Sequence, residues 1–331
     1  MFDRRSLILG TLAAGIAAGT RAQTPPPARP GEPAVGGLPD PVETIDLWPN
    51  GAPGMPAVPP VETVDERSTD PDLPDRAVQG ILRPRLVVFR PRIPNGAAVL
   101  AMPGGAYRRI VIDKEGYEIG RWLSARGYTV FVLFYRLPGD GWKAGPDVAL
   151  SDAQRAMRLI RSRARDFAID PARVAAMGFS AGGHLCADLA TRFAAQTYEA
   201  VDDVDRLSAR PFVAAPIYAV QSMTLPTAHA GSREQLIGRN AGPDIERAHS
   251  PANNVTRQTP PCFLLHAEDD ATVPVENSVQ FRAALKAQGV TVETHLFTNG
   301  GHGFGLRKTI GKPVEAWPEL FIAWAKTQGL A

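Results

Sequence analysis

A serine held between glycines, Gly178-Phe179-Ser180-Ala181-Gly182-Gly183, is the feature that most constrains the fold of this chain. It follows a strand-like run at residues 173–177 and precedes a helix-like run that starts at His184. A strand, a sharp turn and a helix can hold a serine hydroxyl out on a strained backbone, and glycines remove side chains that would clash there. A plain Gly/Ser turn is the alternative. The context favours a nucleophile at Ser180.

Strand-like and helix-like segments alternate from about residue 86 onward. Residues 129–134 form a continuous apolar run, as expected for a parallel strand buried on both faces. The alternation predicts an α/β fold with a doubly wound, mostly parallel sheet, right-handed crossovers, and a site at the carboxyl ends of the strands. We expect strands over residues 86–89, 97–101, 129–134, 173–177, 211–220, 263–266 and 291–297, and helices over residues 115–125, 149–165, 184–193, 276–288 and 317–326.

The first 22 residues have the composition of an export signal. Arg4 and Arg5 precede a short apolar stretch, and small residues at positions 20 and 22 offer a cleavage site. The arginine pair followed by Ser-Leu-Ile-Leu is typical of twin-arginine signals. A membrane anchor is the alternative, but the apolar run is shorter than the roughly 18 residues that a spanning helix needs. We therefore expect a periplasmic or secreted protein whose mature chain is not inserted in a membrane.

The remaining chain divides into a spacer and one large domain. Residues 23–44 are rich in proline and predict a flexible spacer. Residues 45–331 predict a single α/β domain, in which a long connection near residues 221–260 serves as a pocket wall or a lid.

Charge and cysteine content exclude several classes of function. The formal net charge is +2, and the sequence has no basic stripe of the kind that binds nucleic acid. Neutral or mildly polar small substrates are therefore favoured. The six histidines show no metal-ligand spacing, so neither a metal site nor a cofactor is expected. Cys186 and Cys262 are interpreted as small buried hydrophobic residues, with a disulfide as the alternative.

Candidate partners for Ser180 occur downstream in a definite order. A hydrolytic serine needs a base, a carboxylate to orient that base, and donors for the developing oxyanion. His302 lies in a glycine-rich loop after a strand, and Asp270 ends an earlier strand, with Asp269 as the alternative carboxylate. A structural histidine in a turn is the other interpretation of His302. The order Ser180, Asp270, His302 is that of α/β hydrolases.

A second glycine turn, residues 101–107, follows the strand at 97–101 and predicts the oxyanion donors. Backbone N–H groups are the donors in such sites. We assign this role to Gly105, Ala106 and Ala181, with Gly104 as a further candidate. A simple β-turn is the alternative interpretation.

Together these motifs resemble the α/β-hydrolase esterases related to hormone-sensitive lipase, and most closely the acetyl esterases and acetylxylan-esterase-like proteins of bacteria. The glycine turn resembles the His-Gly-Gly-Gly loop of those esterases, with Pro103 and Ala106 replacing its first and last residues. The likeness covers roughly residues 45–330, and it includes Leu47-Trp48-Pro49, Lys114-Glu115-Gly116, Tyr135-Arg136-Leu137-Pro138, Pro274-Val275-Glu276-Asn277-Ser278 and Gly301-His302-Gly303-Phe304-Gly305.

The resemblance implies a serine esterase that hydrolyses short-chain, chiefly acetyl, esters of carbohydrates without a cofactor. It also implies that Tyr107 and Phe304 contact substrate, although both are equally well interpreted as core aromatics. A peptidase related to prolyl oligopeptidase and a non-catalytic binding protein are the alternatives. The acyl length, the alcohol and the oligomeric state are not predicted.

Overall fold

The computed structural model describes residue 41 and residues 43–331. The predicted export signal, residues 1–22, and nearly all of the predicted spacer lie outside the described residues. The spacer boundary at residue 44 needs correction, because Glu43 and Thr44 already lie in a strand and pair with Val88 and Val87.

Eleven strands form two sheets in the described part of the chain. In chain order they are β1 (Glu43–Asp46), β2 (Thr63–Glu66), β3 (Arg76–Gln79), β4 (Arg85–Phe89), β5 (Ala98–Met102), β6 (Ile110–Val111), β7 (Thr129–Phe134), β8 (Val174–Phe179), β9 (Ala214–Ile217), β10 (Cys262–Ala267) and β11 (Val292–Phe297). The main sheet has the order β1-β4-β7-β5-β8-β9-β10-β11. Only the β1–β4 and β4–β7 pairs of this sheet are antiparallel, so the predicted mostly parallel sheet is confirmed. Strands β2, β3 and β6 form a small antiparallel sheet.

Seven α-helices accompany the strands of the described residues. They are α1 (Glu118–Ser124), α2 (Val148–Ser162), α3 (Ala181–Arg192), α4 (Ala230–Ile237), α5 (Pro243–Ala248), α6 (Glu276–Ala287) and α7 (Trp317–Thr327). Helices α1, α2, α3 and α6 each connect two parallel strands or lead into one, which is the arrangement that crossover connections require. Helices α4 and α5 belong to the connection between β9 and β10.

The core lies on both faces of the central strands. All six residues of β7 and all six of β8 are buried, as the continuous apolar run in β7 predicts. The thiols of Cys186 and Cys262 are buried in the same core without a disulfide, and burial raises the pKa of Cys186 to about 12. No helix in the described ranges has both the length and the apolar character needed to cross a bilayer.

Two predicted elements differ most from the observed ones. The helix expected over residues 115–125 begins as a π-helical turn, Asp113–Tyr117, in which the N–H of Tyr117 donates to the carbonyl of Ile112. The strand expected over residues 211–220 is shortened to β9, which Tyr218 ends with a φ of 36°. Both departures place a side chain at the site described below.

Candidate active site

Ser180 occupies a strained turn between β8 and α3, with φ 53° and ψ −117°. A non-glycine residue with positive φ is uncommon and points to a functional constraint. The neighbouring glycines permit the close packing of this turn. A Cβ on Gly178 would lie 2.1 Å from the carbonyl oxygen of Gly182, and one on Gly182 would lie 2.1 Å from that of Met102. The turn presents the Ser180 side chain at the carboxyl end of β8.

The structure brings Ser180, His302 and Asp270 into one hydrogen-bonded chain. The Nδ1 of His302 lies 2.6 Å from Oδ2 of Asp270, and its Nε2 lies 2.8 Å from Oγ of Ser180. A carboxylate only accepts, so Nδ1 carries the proton and Nε2 accepts the serine O–H. This tautomer leaves the lone pair of Nε2 directed at the serine hydroxyl.

The carboxylate of Asp270 is held by four donors. Oδ1 accepts from the backbone N–H of Thr272 and of Val273, both at 2.9 Å. Oδ2 accepts from His302 and lies 3.3 Å from Nε2 of His266. Burial favours the neutral acid, but the hydrogen bonds from the two histidines outweigh it and hold the pKa of Asp270 well below its usual range. Asp270 is therefore ionised at neutral pH.

Asp269, the alternative carboxylate, contacts the loop that carries His302 instead of the imidazole. Its Oδ1 accepts from the backbone N–H of Gly300 and of Gly301, each at 2.8 Å. Glu268, the third acid of the run, is exposed. Consecutive acids at the end of β10 thus bind the histidine and its loop separately.

The glycine turn after β5 lines the cleft beside Ser180. Gly105, Ala106 and Tyr107 all have positive φ, at 136°, 57° and 58°. Within the described residues, the N–H groups of Gly105 and Ala106 have no hydrogen-bond acceptor. Ala181 is the first residue of α3, where N–H groups lack acceptors inside the helix. These three amides are the ones assigned to the oxyanion from sequence.

Gly104, the further candidate donor, is engaged by Glu115. The amide of Gly104 donates to Oε2 of Glu115 at 2.8 Å, and the hydroxyl of Tyr218 donates to Oε1 at 3.0 Å. The N–H of Gly305 in turn donates to the Tyr218 hydroxyl at 3.2 Å. Glu115 is almost fully buried, with 3% of its surface exposed. One carboxylate therefore connects the glycine turn after β5 with the segment that follows His302.

Glu115 and Tyr218 are site residues that the sequence analysis did not assign. Glu115 reaches inward from the unpredicted π-helical turn, and Tyr218 from the unpredicted end of β9. The sequence signal for Glu115 was its place in the Lys114-Glu115-Gly116 motif of the family resemblance. Tyr218 carried no comparable signal.

The two aromatics proposed as substrate contacts lie in the core. Tyr107 is 1% exposed, and its hydroxyl contacts Nδ1 of His184 at 2.7 Å. Phe304 is fully buried and packs on the ring of Tyr218. Neither side chain lines the cleft in the described residues, so their contact with substrate stays a prediction. The placement agrees with their interpretation as core aromatics.

His184 is a buried structural link. Its Nε2 lies 2.8 Å from the carbonyl oxygen of His249, so Nε2 donates and Nδ1 accepts the O–H of Tyr107. Burial lowers the pKa of His184 to about 4. The imidazole is therefore neutral at physiological pH and links α3 to Tyr107 in the glycine turn after β5.

A cleft of about 340 Å³ opens above Ser180 and His302. One wall is formed by the glycine turn after β5 and by basic side chains from nearby segments. The opposite wall includes His229, Gly231 and Gln235 from the connection between β9 and β10. Burial, together with the proximity of His302, lowers the pKa of His229. In the described ranges, no group of three or more His, Cys, Asp or Glu side chains has a geometry suited to a metal ion.

Asn277 at the start of α6 fixes the beginning of that connection. Its Oδ1 accepts from the N–H groups of Gln221 and Ser222, and its Nδ2 donates to the carbonyl of Thr227 at 2.8 Å. The side chain is fully buried. The side-chain amide of Asn277 thus links α6 to the connection that carries His229, Gly231 and Gln235.

Solved structures of known proteins share this fold. The acetyl ester-xyloside bifunctional hydrolase of Caldicellulosiruptor lactoaceticus superimposes with a TM-score of 0.72 at 34% identity, covering 89% of this chain and 99% of that protein. Esterase Est2 of Thermogutta terrifontis aligns with a TM-score of 0.61 at 22% identity, covering 84% of this chain and 96% of Est2. At that identity the second match shows the fold alone.

Sequence comparison identifies the family. The acetylxylan esterase of Xylanibacter ruminicola is 33% identical over 226 residues, which is 67% of this chain and 44% of that protein. This chain thus spans less than half the length of that curated relative. The BD-FAE family model matches residues 93–285. The chain belongs to the BD-FAE family of α/β hydrolases, as the resemblance to esterases related to hormone-sensitive lipase predicted.

Proposed function

We propose that this protein is a serine esterase that hydrolyses short-chain acyl esters, chiefly acetyl esters of carbohydrates. The single observation that carries the proposal is the hydrogen-bonded chain from Ser180 through His302 to Asp270. A serine hydroxyl becomes an effective nucleophile when a neighbouring base accepts its proton and a third group orients that base. This chemistry requires no cofactor.

In the first half-reaction, Oγ of Ser180 attacks the ester carbonyl carbon while its proton passes to Nε2 of His302. Asp270 stabilises the resulting imidazolium through Nδ1–H. The carbonyl oxygen becomes an oxyanion, which the amides of Gly105, Ala106 and Ala181 stabilise. Each such donor typically lowers the barrier by about 3–4 kcal/mol. The tetrahedral intermediate collapses, and the alcohol leaves with the proton from His302.

In the second half-reaction, water attacks the acyl-enzyme. His302 accepts a proton from the water, the same amides hold the second oxyanion, and the proton returns to Oγ of Ser180 as the carboxylic acid leaves. The enzyme is regenerated with both protons accounted for.

Two comparisons support an acetyl ester of a carbohydrate as substrate. The relative in Xylanibacter ruminicola is named an acetylxylan esterase, and the hydrolase of Caldicellulosiruptor lactoaceticus, matched over 99% of its length, is named for acetyl ester and xyloside hydrolysis. The cleft of about 340 Å³ also accommodates a small ester.

The test compares hydrolysis of p-nitrophenyl acetate, butyrate and octanoate by the wild type and by Ser180→Ala. We expect a preference for acetate and loss of activity in the variant. Release of acetate from acetylated xylo-oligosaccharides then tests the carbohydrate part. Equal rates in both proteins, or hydrolysis of a peptidyl anilide in preference to the esters, would contradict the proposal and favour a peptidase or a binding protein.

We also propose that the protein acts outside the cytoplasm. The support is the composition of residues 1–22, with the Arg4-Arg5 pair before a short apolar stretch. Fractionation of cells that express the chain should place its activity in the periplasm or medium. Replacing both arginines with lysine should retain the protein in the cytoplasm, and unchanged export of that variant would exclude the twin-arginine route.

A further inference from the structure

Two arginines form part of the cleft wall directly beside the proposed oxyanion turn. The backbone N–H groups of Arg108 and Arg109 both donate to the carbonyl of Gly105, at 3.1 and 3.2 Å. Their side chains line the same cleft as Ser180 and His302. Because both residues are fixed to the turn that lies next to the nucleophile, their guanidinium groups border the space that a bound ester occupies.

Neither guanidinium has an acidic partner among the described residues. Elsewhere in the fold arginines pair closely with carboxylates, as Arg76 does with Asp113 at 2.7 Å and Arg136 with Asp152 at 2.8 Å. Arg108 is exposed, and Arg109 is partly buried without an ion pair. Both guanidinium groups are therefore available to an anionic group bound in the cleft.

The remaining charges near this wall leave it positive. Lys114 and Arg67 also line the cleft. Asp75 pairs with Arg67 and lies 3.8 Å from Lys114. The carboxylate of Glu115 accepts hydrogen bonds from a backbone amide and a tyrosine hydroxyl inside the protein. Both acids near this wall are therefore already engaged, and neither contacts Arg108 or Arg109.

We infer that the preferred substrate carries a carboxylate on its alcohol part, as a uronic acid does, and that Arg108 and Arg109 bind that carboxylate. The inference rests on the proposed esterase function. An acetyl group carries no charge, so the anion must belong to the alcohol. Guanidinium groups match carboxylates in bidentate geometry, and a concave site of one charge sign concentrates ligands of the opposite sign. The positive charge of this wall thus favours an anionic substrate, whereas the net charge of the whole chain favours neutral ones.

The experiment uses two substrates that differ in one group, a monoacetylated methyl glucuronoside and the same monoacetylated methyl glucoside. We measure kcat and KM for both with the full chain. We expect the glucuronoside to be preferred in kcat/KM by about tenfold or more, mainly through a lower KM, because charge-assisted hydrogen bonds form in the bound state. The preference should weaken as salt increases.

Variants of the two arginines connect the preference to its origin. The double substitution Arg108→Gln with Arg109→Gln should reduce the ratio of the two kcat/KM values to near one. A matched control removes two exposed arginines elsewhere, Arg92→Gln with Arg282→Gln, and should keep the ratio. Replacing Arg108 and Arg109 with lysine, which keeps the charge without the planar fork, should retain part of the preference.

The outcomes separate this inference from the proposed function. If the wild type hydrolyses both sugars with equal kcat/KM, or if the double glutamine variant keeps the preference, the inference is wrong and the esterase proposal stands. If the wild type hydrolyses neither sugar nor p-nitrophenyl acetate, the proposed function fails and the inference fails with it. A preference lost in the glutamine variant but kept in the control supports both.

Discussion

Asp269 and Asp270 are adjacent acids whose carboxylates accept hydrogen bonds from different partners. Asp270 accepts from His302. Asp269 accepts from the backbone amides of the two glycines that come directly before His302. The strand β10 ends just before both residues, so one strand end determines the position of the imidazole and of its loop. The spacing in the sequence selected Asp270 for the imidazole, but the loop contacts of Asp269 depend on tertiary structure and were not predicted.

Substitution of each acid by its amide distinguishes their contributions. Asp270→Asn should lower kcat by about 10⁴-fold, because an amide can donate to His302 and favour the wrong tautomer. Asp269→Asn retains an acceptor oxygen for the loop amides and should change kcat by less than about tenfold. Kinetics on p-nitrophenyl acetate measure both effects. Similar losses in the two variants would contradict the assignment.

Glu115 is a positioning residue in the proposed mechanism, because its two carboxylate oxygens accept from the Gly104 amide and the Tyr218 hydroxyl. In Glu115→Gln, one of the two oxygen acceptors becomes a donor, so either Gly104 or Tyr218 loses its acceptor. We expect kcat to fall about tenfold while KM changes little, since the amides stabilise charge that develops in the transition state. Glu115→Asp, which keeps the charge but shortens the side chain, is the companion variant. An increase in KM with unchanged kcat in Glu115→Gln would contradict this role.

At the level of elements, the turn between β8 and α3 depends on backbones that approach closely. A Cβ on Gly178 would lie 2.1 Å from the carbonyl oxygen of Gly182 and 2.8 Å from the Cβ of Cys186 in α3. Strand β8 and helix α3 therefore approach each other more closely than a side chain at position 178 would allow. This contact keeps Ser180 in its unusual backbone conformation.

Gly178→Ala should destabilise the protein by about 2 kcal/mol or more, because the added methyl group cannot be accommodated without a shift of the backbone. Gly242→Ala is a suitable control, since Gly242 has a φ of −79° and no atom within 4 Å of an added Cβ. That variant should have equal or slightly greater stability. Denaturant unfolding measures both. Equal stability of Gly178→Ala and the wild type would show that the turn tolerates a side chain.

Elements were predictable from the sequence where local pattern and tertiary environment agree. The apolar run at residues 129–134 predicted β7 with its observed bounds, because a strand buried on both faces needs no other signal. The π-helical turn at Asp113–Tyr117 has no such pattern, since it is stabilised by contacts of Glu115 with distant residues. The sequence order therefore anticipated which residues meet in the site, whereas the contacts that support them required the structure.

At the scale of the whole molecule, buried histidines make folding sensitive to acid. Burial lowers the pKa of His184 to about 4, and it lowers the pKa of His229 and His249 as well. In the unfolded chain these imidazoles titrate near pH 6.5. Between these values the unfolded state binds protons that the folded state does not, so stability decreases as the pH falls.

We expect the free energy of unfolding to fall by about 3 kcal/mol from His184 alone between about pH 6.5 and pH 4. Above this window the contribution is constant. The depressed pKa of Asp270 adds a further loss only below about pH 4, where the unfolded carboxyl becomes protonated. Urea unfolding across the window should show a smaller slope for His184→Gln than for the wild type. An identical slope would mean that other groups control the acid response.

The attachment of residues 221–260 through Asn277 has a consequence for how the cleft of this protein can vary. Ser180, Asp270 and His302 lie outside that segment, whereas His229, Gly231 and Gln235 of the cleft lie within it. The proposed catalytic residues and this wall of the cleft therefore come from separate stretches of the chain. Substitutions within the segment can therefore alter this wall without replacing Ser180, Asp270 or His302, provided that Asn277 still accepts from the amides of Gln221 and Ser222.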